Sequence, residues 1–478
     1  MRDPVPFLIG GERRRSADVA DIRFPYTGDV AGCVFLAGDG DVEDAVRAAT
    51  AGFAVTRRLP AYARSRVLDR LADLIEERGD ELAEAIVLEA GKTKTLARGE
   101  AARAAETIRI SAEEARRIHG EILPLDWNSA GEGYTGYTRR FPIGPILCIT
   151  GFNFPLNLAC HKVGPAIAAG NPVILKPATK TPLTALLLGE MVLDAGFPPE
   201  AISVLPCTTG RAERLVADDR IAYVSFTGSP DVGWHIKAIA GRKRVGLELG
   251  GNAAAVVCED ADIVHAASRV TAGAFSNAGQ VCISVQRVFV HASVYDRFLD
   301  ELLPRVRSLK VGDPRQDDTD VGPMISPEAA AGAHEKVAEA VREGARVLAG
   351  GSCDGTLFEP TVLVDTAPAM RVNRTEIFAP VVTVTPYDAY AEALARVNDS
   401  PFGLQAGVFT RDMRRIMQAL EELRVGGVVI GDIPTVRMDH MPYGGVKASG
   451  LGREGPRYAI EEMTEMRLMV VNAGGWES

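Results

Sequence analysis

Pro145-Ile-Leu-Cys-Ile-Thr150 is a short, continuously apolar run, and Pro172-Val-Ile-Leu-Lys176 and Ile221-Ala-Tyr-Val-Ser-Phe226 are runs of the same kind further along the chain. The segments between these runs, such as 181–194 and 210–217, have helical patterns. Short apolar strands that alternate with helices are typical of a parallel sheet covered by helices on both faces. The sequence therefore predicts an α/β fold with a doubly wound, Rossmann-like domain in this region.

The same alternation resumes in the second half of the chain, with strand-like runs at Ala253-Ala-Ala-Val-Val257, Val285-Gln-Arg-Val-Phe-Val290 and Val381-Val-Thr-Val-Thr385. We therefore expect a second doubly wound α/β domain. The last apolar run, Met466-Arg-Leu-Met-Val-Val-Asn472, has strand character but no local partner. We expect it to pair with the exposed strand predicted near residue 137, and an edge built in this way favours pairing with another subunit.

Composition argues against several classes of protein. The chain has 478 residues, 46% of them hydrophobic, with 63 acidic and 53 basic side chains. A net charge of −10 argues against a nucleic acid or an anionic membrane as the main partner, since phosphate binding needs clustered Lys and Arg. We find no apolar run long enough for a membrane span and no signal-peptide pattern. The seven cysteines form no C-x-x-C pair, which predicts a cytoplasmic protein without a metal site.

Cys282 differs in its surroundings from the other cysteines. It ends the stretch Phe275-Ser-Asn-Ala-Gly-Gln-Val-Cys282, whereas Cys148 and Cys258 lie inside apolar strand-like runs. A buried, inert thiol is the usual role of a free cysteine and fits those two residues. A cysteine beside a turn can instead act as a nucleophile when a base or a helix end favours its thiolate. The residues alone leave both interpretations of Cys282 open.

Two polar residues are candidates to assist such a nucleophile. Glu248 closes an apolar run before Gly250-Gly251, and a carboxylate in apolar surroundings has a raised pKa that suits a general base. Asn153, in Thr150-Gly-Phe-Asn-Phe-Pro155, follows a predicted strand, and its amide can donate to an oxyanion. The ordinary alternatives are a solvent-facing glutamate at a strand end and an Asx turn before proline.

The signs of a cofactor site are indirect. No G-x-G-x-x-G motif follows a strand. Instead, Ser225-Phe-Thr-Gly-Ser229 closes a predicted strand and Pro230 opens a predicted helix, whose backbone amides can hold a pyrophosphate. Lys176 lies at the carboxyl end of another predicted strand, which is the edge at which ligands bind in open α/β sheets.

Together these segments resemble the aldehyde dehydrogenase superfamily from about residue 20 to the C-terminus. The family's Phe-x-x-x-Gly-Gln-x-Cys motif matches 275–282, its Glu-Leu-Gly-Gly-Asn box matches 248–252, and its Phe-Asn-Phe-Pro element matches 152–155. The resemblance implies that Cys282 attacks an aldehyde, that Asn153 stabilises the oxyanion, and that water activated by Glu248 hydrolyses the resulting thioester. The implied activity is NAD(P)-dependent oxidation of an aldehyde to its acid, without acylation of CoA.

The resemblance also implies a cofactor site and a domain organisation. The implied cofactor-binding residues are Ile149, Thr150, Gly151, Phe152, Lys176, Thr179, Phe226, Thr227, Gly228, Ser229, Leu249, Glu376 and Phe378. We expect a cofactor-binding domain at 1–122 and 142–250, a catalytic domain at 251–432, and oligomerisation strands at 123–141 and 455–478, which implies a homodimer or homotetramer. Thr179 stands where members that prefer NAD often have Glu, so either NAD or NADP is expected to bind.

The tail 441–455 resembles the branch of the family that contains lactaldehyde, phosphonoacetaldehyde and non-phosphorylating glyceraldehyde-3-phosphate dehydrogenases. That branch implies a small aldehyde, hydroxylated or anionic. The candidate substrate residues are Arg103, Phe154, Val281 and Arg437. Because Phe154 and Val281 stand where anion-binding relatives often have His and Arg, we expect a more apolar pocket than in those relatives. A surface helix arginine is an equally good interpretation of Arg103.

Two other functions are compatible with parts of this pattern. CoA-acylating relatives generally lack the general-base glutamate, so Glu248 argues against that activity. A non-catalytic, structural member of the fold would be expected to lose the cysteine or the base, and both are present. His161 is interpreted as a packed helix histidine and not as a ligand.

Overall fold

The computed structural model describes residues 3–473, and this range contains 24 strands and 15 α-helices. The strands are β1 (Phe7–Ile9), β2 (Glu12–Arg14), β3 (Val19–Arg23), β4 (Val30–Phe35), β5 (Ile122–Pro124), β6 (Tyr134–Pro142), β7 (Ile146–Ile149), β8 (Val173–Lys176), β9 (Ile202–Val204), β10 (Tyr223–Thr227), β11 (Arg244–Glu248), β12 (Ala254–Val257), β13 (Arg287–His291), β14 (Arg346–Ala349), β15 (Cys353–Asp354), β16 (Leu357–Phe358), β17 (Thr361–Val364), β18 (Val381–Tyr387), β19 (Phe402–Gly403), β20 (Gln405–Phe409), β21 (Gly427–Ile430), β22 (Val446–Lys447), β23 (Gly450–Leu451) and β24 (Thr464–Asn472). The helices are α1 (Asp39–Thr56), α2 (Ala61–Glu77), α3 (Gly79–Ala90), α4 (Lys94–Ala115), α5 (Asn157–Ala169), α6 (Leu183–Asp194), α7 (Thr209–Ala217), α8 (Pro230–Ile239), α9 (Ile263–Phe275), α10 (Tyr295–Arg307), α11 (Pro327–Arg342), α12 (Arg371–Arg374), α13 (Tyr390–Asn398), α14 (Met413–Glu422) and α15 (Pro456–Glu462).

The first large sheet has eight strands in the order β2-β1-β9-β8-β7-β10-β11-β23. Its inner strands from β9 to β11 run parallel, and the antiparallel strands β1, β2 and β23 lie toward its edges. Strands β7 and β8 are buried at every residue, as expected where helices cover both faces. The chain continues from β7 to β8 on one side and later returns to β10 on the other side. This creates a switch point, at which open α/β sheets commonly bind ligands.

The second large sheet has the order β14-β17-β18-β13-β12-β20-β21. All neighbouring strands are parallel except β14 and β17. Strand β12 lies between β13 and β20, so this sheet has a switch point of its own. Two large α/β sheets confirm the predicted fold class. Every strand of the second sheet lies between residues 254 and 430, and the domain boundaries stay predictions.

A small sheet of three strands, β24-β6-β5, lies apart from the two large ones. Strand β24 pairs with β6 in antiparallel register, with Met469 opposite Tyr137, so the pairing expected from the sequence is present. The prediction of strand for the whole of 455–478 is wrong at its start, where α15 forms instead. Pro456 suits the first turn of a helix, and Ala459 and Ile460 bury one face of it. Residues 474–478 lie outside the described residues.

Helices α4 and α5 pack together and support the region of the candidate site. Helix α5 follows β7 and is buried at all of its residues. Helix α4 packs against α2, α3 and α5, which holds the N-terminal helical region against the first large sheet. Over the described range 3–473, we find no helix with the length and apolar character that crossing a membrane requires.

Candidate active site

The candidate nucleophile, Cys282, lies on the wall of a cavity of about 550 Å³. The chain reaches it from α9 through a tight turn in which Asn277, Ala278 and Gly279 have φ values of 52°, 53° and 68°. A side chain at Gly279 would approach the carbonyl oxygen of Ala379 to 2.1 Å, so glycine is required there. The turn therefore fixes the position from which Cys282 projects into the cavity.

The Cys282 sulfur has one close polar neighbour. Its Sγ lies 2.9 Å from the hydroxyl oxygen of Tyr443. The surrounding protein desolvates the sulfur and raises the pKa of Cys282 to about 11, and the hydrogen bond with Tyr443 and the charge of Arg437 oppose that rise. The thiol is therefore protonated at neutral pH in this state, and its reactivity depends on groups that favour the thiolate.

The amide of Asn153 lies just beyond β7, at the switch point of the first sheet. Its Nδ2 donates a hydrogen bond of 2.9 Å to the carbonyl oxygen of Gln280. This bond ties the Asn153 loop to the turn that carries Cys282. An amide nitrogen has two N–H groups, and that of Asn153 makes no second hydrogen bond within residues 3–473. One N–H group thus remains for an oxygen atom bound beside Cys282.

Two buried carboxyl groups near Cys282 differ in their partners. Glu248 ends β11 and lines the cavity, and its Oε2 has no hydrogen-bond partner among the described residues. Burial, reinforced by the nearby charge of Glu454, raises the pKa of Glu248 well above its ordinary value. Glu454 lies 2.7 Å from Lys162 and 3.0 Å from Arg437. Although burial opposes it, the charge of these two cations lowers the pKa of Glu454 to about 2. Of these two carboxyl groups, Glu248 has the raised proton affinity that suits a general base.

A second part of the cavity wall includes the small residues Thr227, Gly228, Ser229 and Gly250. Helix α8 begins at Pro230, shortly after Gly228 on the cavity wall. Gly250 lies so close to Glu376 that a Cβ there would meet the carboxylate at 2.3 Å. Free amides at a helix start and close backbone approach suit the pyrophosphate of a dinucleotide. The hydroxyl of Thr227 has no partner within the described residues, which leaves a polar group for such a ligand.

Two ionisable side chains are candidates to hold the hydroxyl groups of riboses, Glu376 on the cavity wall and Lys176 off it. Glu376 accepts a hydrogen bond of 3.0 Å from the backbone N–H of Gly251, and desolvation raises its pKa to about 7. Lys176, at the carboxyl end of β8, forms no ion pair within residues 3–473, and burial lowers its pKa. Buried polar groups without a protein partner of opposite charge are consistent with a bound polar ligand.

The structure brings most of the predicted site residues onto one cavity wall. Those that line the cavity are Cys282, Glu248, Asn153, Gly151, Phe152, Thr227, Gly228, Ser229, Leu249, Glu376, Phe378, Arg103, Phe154, Val281 and Arg437. Those that lie off its wall are Ile149, Thr150, Lys176, Thr179 and Phe226. Among the latter, Thr179 is exposed and the others are buried. The roles of all these residues stay predictions.

Two arginines line the cavity, and each is held by a carboxylate. Arg103 donates two hydrogen bonds to Asp439, of 2.7 and 3.1 Å. Arg437 pairs with Glu454 at 3.0 Å. The arginines line the cavity, whereas the two carboxylates lie off its wall. Both guanidinium groups are therefore on the cavity wall, where a bound molecule can reach them.

A third cationic side chain, that of Lys92, lies against the ring of Phe154. The Lys92 ammonium lies 3.5 Å from the centre of the Phe154 ring and 2.5 Å from a carboxylate oxygen of Glu100. Phe154 and Val281 line the cavity and make part of its wall apolar, as expected from the sequence. The sequence analysis named Arg103 and Arg437 as candidate substrate residues, but it missed Lys92, which also lines the cavity.

Sequence reasoning missed several residues of the site. Tyr443 lies in the tail 441–455, which resembles a branch of the family, but nothing in that tail indicated its contact with Cys282. Asp439 accepts hydrogen bonds from Arg103 and, at 2.9 Å, from Nε2 of His161. His161 is a buried helix histidine, as interpreted from the sequence. No local pattern around Asp439 in the sequence indicated this role.

Comparisons with known proteins agree with this geometry. The sequence model described as the aldehyde dehydrogenase family matches residues 13–469. The chain is 45% identical to 3-sulfolactaldehyde dehydrogenase of Priestia megaterium over 465 residues, which cover 97% of each protein.

Two solved structures have the same fold over nearly their whole length. Aldehyde dehydrogenase 21 from Physcomitrella patens, in complex with the reaction product succinate, has a TM-score of 0.97 and 39% identity, with 100% of each chain covered. Glyceraldehyde-3-phosphate dehydrogenase GapN from Methanocaldococcus jannaschii, complexed with NADP, has a TM-score of 0.92 and 35% identity, with 96% of this chain and 99% of that chain covered.

Proposed function

The chain belongs to the aldehyde dehydrogenase family, and from this premise we propose that Cys282, Asn153 and Glu248 oxidise a short anionic aldehyde to its acid with NAD(P)+. One observation carries these roles. A thiol, an amide with a free N–H group and a buried carboxyl group without a partner meet on the wall of one cavity. These are the groups that covalent oxidation of an aldehyde and hydrolysis of a thioester require.

In the first half-reaction, the Cys282 thiolate attacks the aldehyde carbon and the carbonyl electron pair moves onto oxygen. The free N–H group of Asn153 and the backbone N–H of Cys282 donate to this oxyanion. A donor of this kind is worth about 3–4 kcal/mol in the transition state. When bound, NAD(P)+ would accept the hydride from the former aldehyde carbon, and the carbonyl that re-forms at that carbon would be a thioester on Cys282.

In the second half-reaction, Glu248 accepts a proton from water. The water oxygen attacks the thioester carbon, the carbon–sulfur bond breaks, and Cys282 leaves as the thiolate. Glu454 is unsuited to this role because Lys162 and Arg437 keep it ionised and paired. A base placed in this way supports hydrolysis over transfer of the acyl group to CoA.

The chain uses its strand ends and the start of α8 to hold the dinucleotide. Lys176 and Glu376 bind the two riboses, and Ser229 and the backbone at the helix start bind the pyrophosphate. Thr179 is exposed and uncharged, so a 2′-phosphate meets no repulsion there and NADP is accepted as well as NAD. The NADP bound to the Methanocaldococcus jannaschii enzyme supports this assignment.

The substrate is a short aldehyde whose other end carries a sulfonate or carboxylate group. Arg103 and Arg437 face the cavity with their carboxylate partners behind them, so both guanidinium groups are held in place to bind an anion. Guanidinium groups bind such oxyanions with paired hydrogen bonds. The name of the Priestia megaterium relative and the succinate bound in the Physcomitrella patens structure support an anionic tail.

A panel of aldehydes tests the proposed reaction and substrate class. We would measure NAD(P)H formation with 3-sulfolactaldehyde, sulfoacetaldehyde and succinate semialdehyde, and with lactaldehyde and butanal as neutral counterparts. A hydrogen bond to a charged group predicts that kcat/KM is about 10-fold or more higher for the anionic aldehydes. Equal values for anionic and neutral aldehydes would reject the substrate class. An absolute requirement for CoA would reject hydrolysis.

We also propose that β24 joins two copies of the chain. Met466, Leu468, Met469 and Val470 are 50%, 52%, 57% and 49% exposed, and β24 is an edge strand of its sheet. An apolar edge strand of this length needs a cover. Strand β21 is likewise at the edge of its sheet and offers a partner surface. Leu468→Lys should shift the molecular mass measured by light scattering toward that of the monomer, and an unchanged mass would contradict this interface.

A cytoplasmic location stays a prediction that the cysteines support. All seven of them are free, which suits a reducing compartment. The net charge of −10 supports the view that nucleic acids are not partners.

A further inference from the structure

Tyr443 contacts the reacting sulfur and has no part in the mechanism described above. Its hydroxyl oxygen lies 2.9 Å from Cys282 Sγ. Within residues 3–473, each of these two atoms has the other as its sole hydrogen-bond partner. Tyr443 is 2% exposed and lines the same cavity as Cys282. A buried hydroxyl group whose one hydrogen bond is to a nucleophile is a candidate for a chemical role.

We propose that Tyr443 is a catalytic residue whose hydroxyl donates a hydrogen bond to the Cys282 thiolate and thereby favours the reactive form of the nucleophile. This rests on the proposed role of Cys282 as the nucleophile. When the thiol ionises, its proton passes to water in the cavity, and the phenol keeps its own proton. The sulfur lone pair then forms the bond to the aldehyde carbon.

The direction of the hydrogen bond follows from the two acidities. Burial, followed by the nearby charge of Cys282, raises the pKa of Tyr443 well above its ordinary value, so the phenol stays protonated. A thiolate has no hydrogen to donate, so the bond runs from the phenol to the sulfur. The Arg437 guanidinium lies 3.9 Å from the centre of the Tyr443 ring. A cation on the face of the ring withdraws electron density and makes the phenol a stronger donor.

The backbone and the ring of Tyr443 hold the hydroxyl in this position. Its N–H donates to the carbonyl oxygen of Glu454 at 3.1 Å, and the N–H of Glu454 donates back at 2.6 Å. The ring packs in a small apolar cluster with Val281, Ile283 and Leu404. These contacts come from both sides of Cys282 in the sequence, so the contact between hydroxyl and sulfur is built by tertiary packing.

The hydrogen bond from Tyr443 should change the thiolate population of Cys282 measurably, because the Cys282 thiol is weakly acidic. Desolvation raises the pKa of Cys282 to about 11, so little thiolate exists near neutral pH. A hydrogen bond to a charged acceptor increases the population of the charged form by about 10- to 100-fold. A less basic thiolate is also a weaker nucleophile, with a Brønsted coefficient of about 0.4–0.5, so the net gain in rate is about 3- to 10-fold.

Tyr443→Phe removes the hydroxyl and leaves the ring. The probe is iodoacetamide, and the rate of Cys282 alkylation is followed by mass spectrometry between pH 7 and 9. We expect the rate at each pH to fall by about 3- to 10-fold. Incorporation of 3,5-difluorotyrosine at position 443, a more acidic phenol of nearly the same size, should change the rate in the opposite direction.

A matched control comes from a second tyrosine–cysteine pair. The Tyr387 hydroxyl lies 3.4 Å from Cys258 Sγ, within a different hydrophobic cluster. Tyr387→Phe should leave Cys282 alkylation unchanged. Equal rates in the wild type and Tyr443→Phe would overturn the proposal, and so would a fluorinated variant that reacts no differently from the wild type. The fluorinated variant keeps the full side chain, so it decides the matter even if the phenylalanine variant fails to fold.

The outcome is independent of whether Cys282 is the nucleophile in turnover. Alkylation reports the state of the thiol in either case, whereas the activity of Cys282→Ala tests the nucleophile itself. Turnover retained in Cys282→Ala would reject the proposed function. An alkylation rate that does not depend on the Tyr443 hydroxyl would reject the role of Tyr443 alone.

Discussion

The two ends of the cavity are built by different means. The proposed cofactor end includes residues from the short segments 227–229 and 248–250, several of them small. The proposed substrate end includes long side chains held by distant partners. Arg103 pairs with Asp439 across 336 residues, and His161 bonds to the same carboxylate across 278 residues. The first end is specified locally, and the second exists once α4, α5 and the C-terminal tail have packed together.

This difference predicts how substitutions divide. Changes to the catalytic groups between the two ends should affect every aldehyde alike. Changes at the substrate end should discriminate between anionic and neutral aldehydes, because its cations act on the tail of the substrate and not on the reacting carbon. Changes at the cofactor end should discriminate between NAD and NADP.

Cys282→Ala should have the largest effect. Removal of a covalent nucleophile lowers turnover by about 10⁶-fold in a well-studied enzyme of this general kind, and the loss should be the same for all aldehydes. Dinucleotide binding, measured by titration calorimetry, should persist because the cofactor end keeps its residues. Cys353→Ala is the control, since that cysteine lies outside the cavity. If Cys282→Ala retained turnover, Cys282 would not be the nucleophile, and the two ends of the cavity could not be defined relative to it.

Glu248→Gln should have the next largest effect. A positioned general base contributes about 10²- to 10⁴-fold, and the loss should fall on hydrolysis of the thioester. Stopped-flow absorbance should therefore show a burst of NAD(P)H of about one per active site, followed by slow turnover. The amide keeps the size of the carboxyl group, so the cavity keeps its shape. A variant without a burst would show that Glu248 acts before hydride transfer.

Arg103→Met should separate the substrate end from the rest of the cavity. Loss of a charge-assisted hydrogen bond lowers kcat/KM for sulfonated and carboxylated aldehydes by about 10- to 100-fold, with little change for butanal. Arg109→Met is a matched control on the same helix, because Arg109 pairs with Glu76 away from the cavity. Equal losses for charged and neutral aldehydes would mean that Arg103 supports the fold and not the substrate.

The sequence predicts the locally specified features of the molecule better than those that depend on packing between distant segments. The buried strands β7 and β8 were recognisable because their residues are apolar at every position except Lys176 at the end of β8, and such a run is a local property. Cys282 and Glu248 were recognisable because their glycine-rich surroundings are local too. The order of strands in a sheet, and the start of α15 within a segment predicted as strand, depend on packing between segments that the local pattern does not contain.

The substrate end was predicted less completely for a physical reason. Arg103 was as well explained as a surface helix arginine, and what separates the two interpretations is Asp439, which binds it from the far end of the chain. Tyr443 is a similar case, since its proposed role depends on contact with the Cys282 sulfur, 161 residues away. A single sequence does not reveal such pairs, because the local pattern around one residue does not show which distant residue packs against it.

Thr179→Glu should have the smallest effect and should act at the cofactor end alone. A carboxylate near the 2′-phosphate repels it, and because Thr179 is exposed the repulsion is screened by water. We expect about a 10-fold loss of affinity for NADP+ and little change for NAD+, measured as dissociation constants without substrate. Thr179→Ser keeps the hydroxyl and should leave both constants unchanged. A preference for anionic over neutral aldehydes that shifted in Thr179→Glu would mean that the two ends communicate, since no charged side chain of the substrate end was altered. An unchanged preference, together with the loss for NADP+, would show that each end of the cavity selects its own ligand.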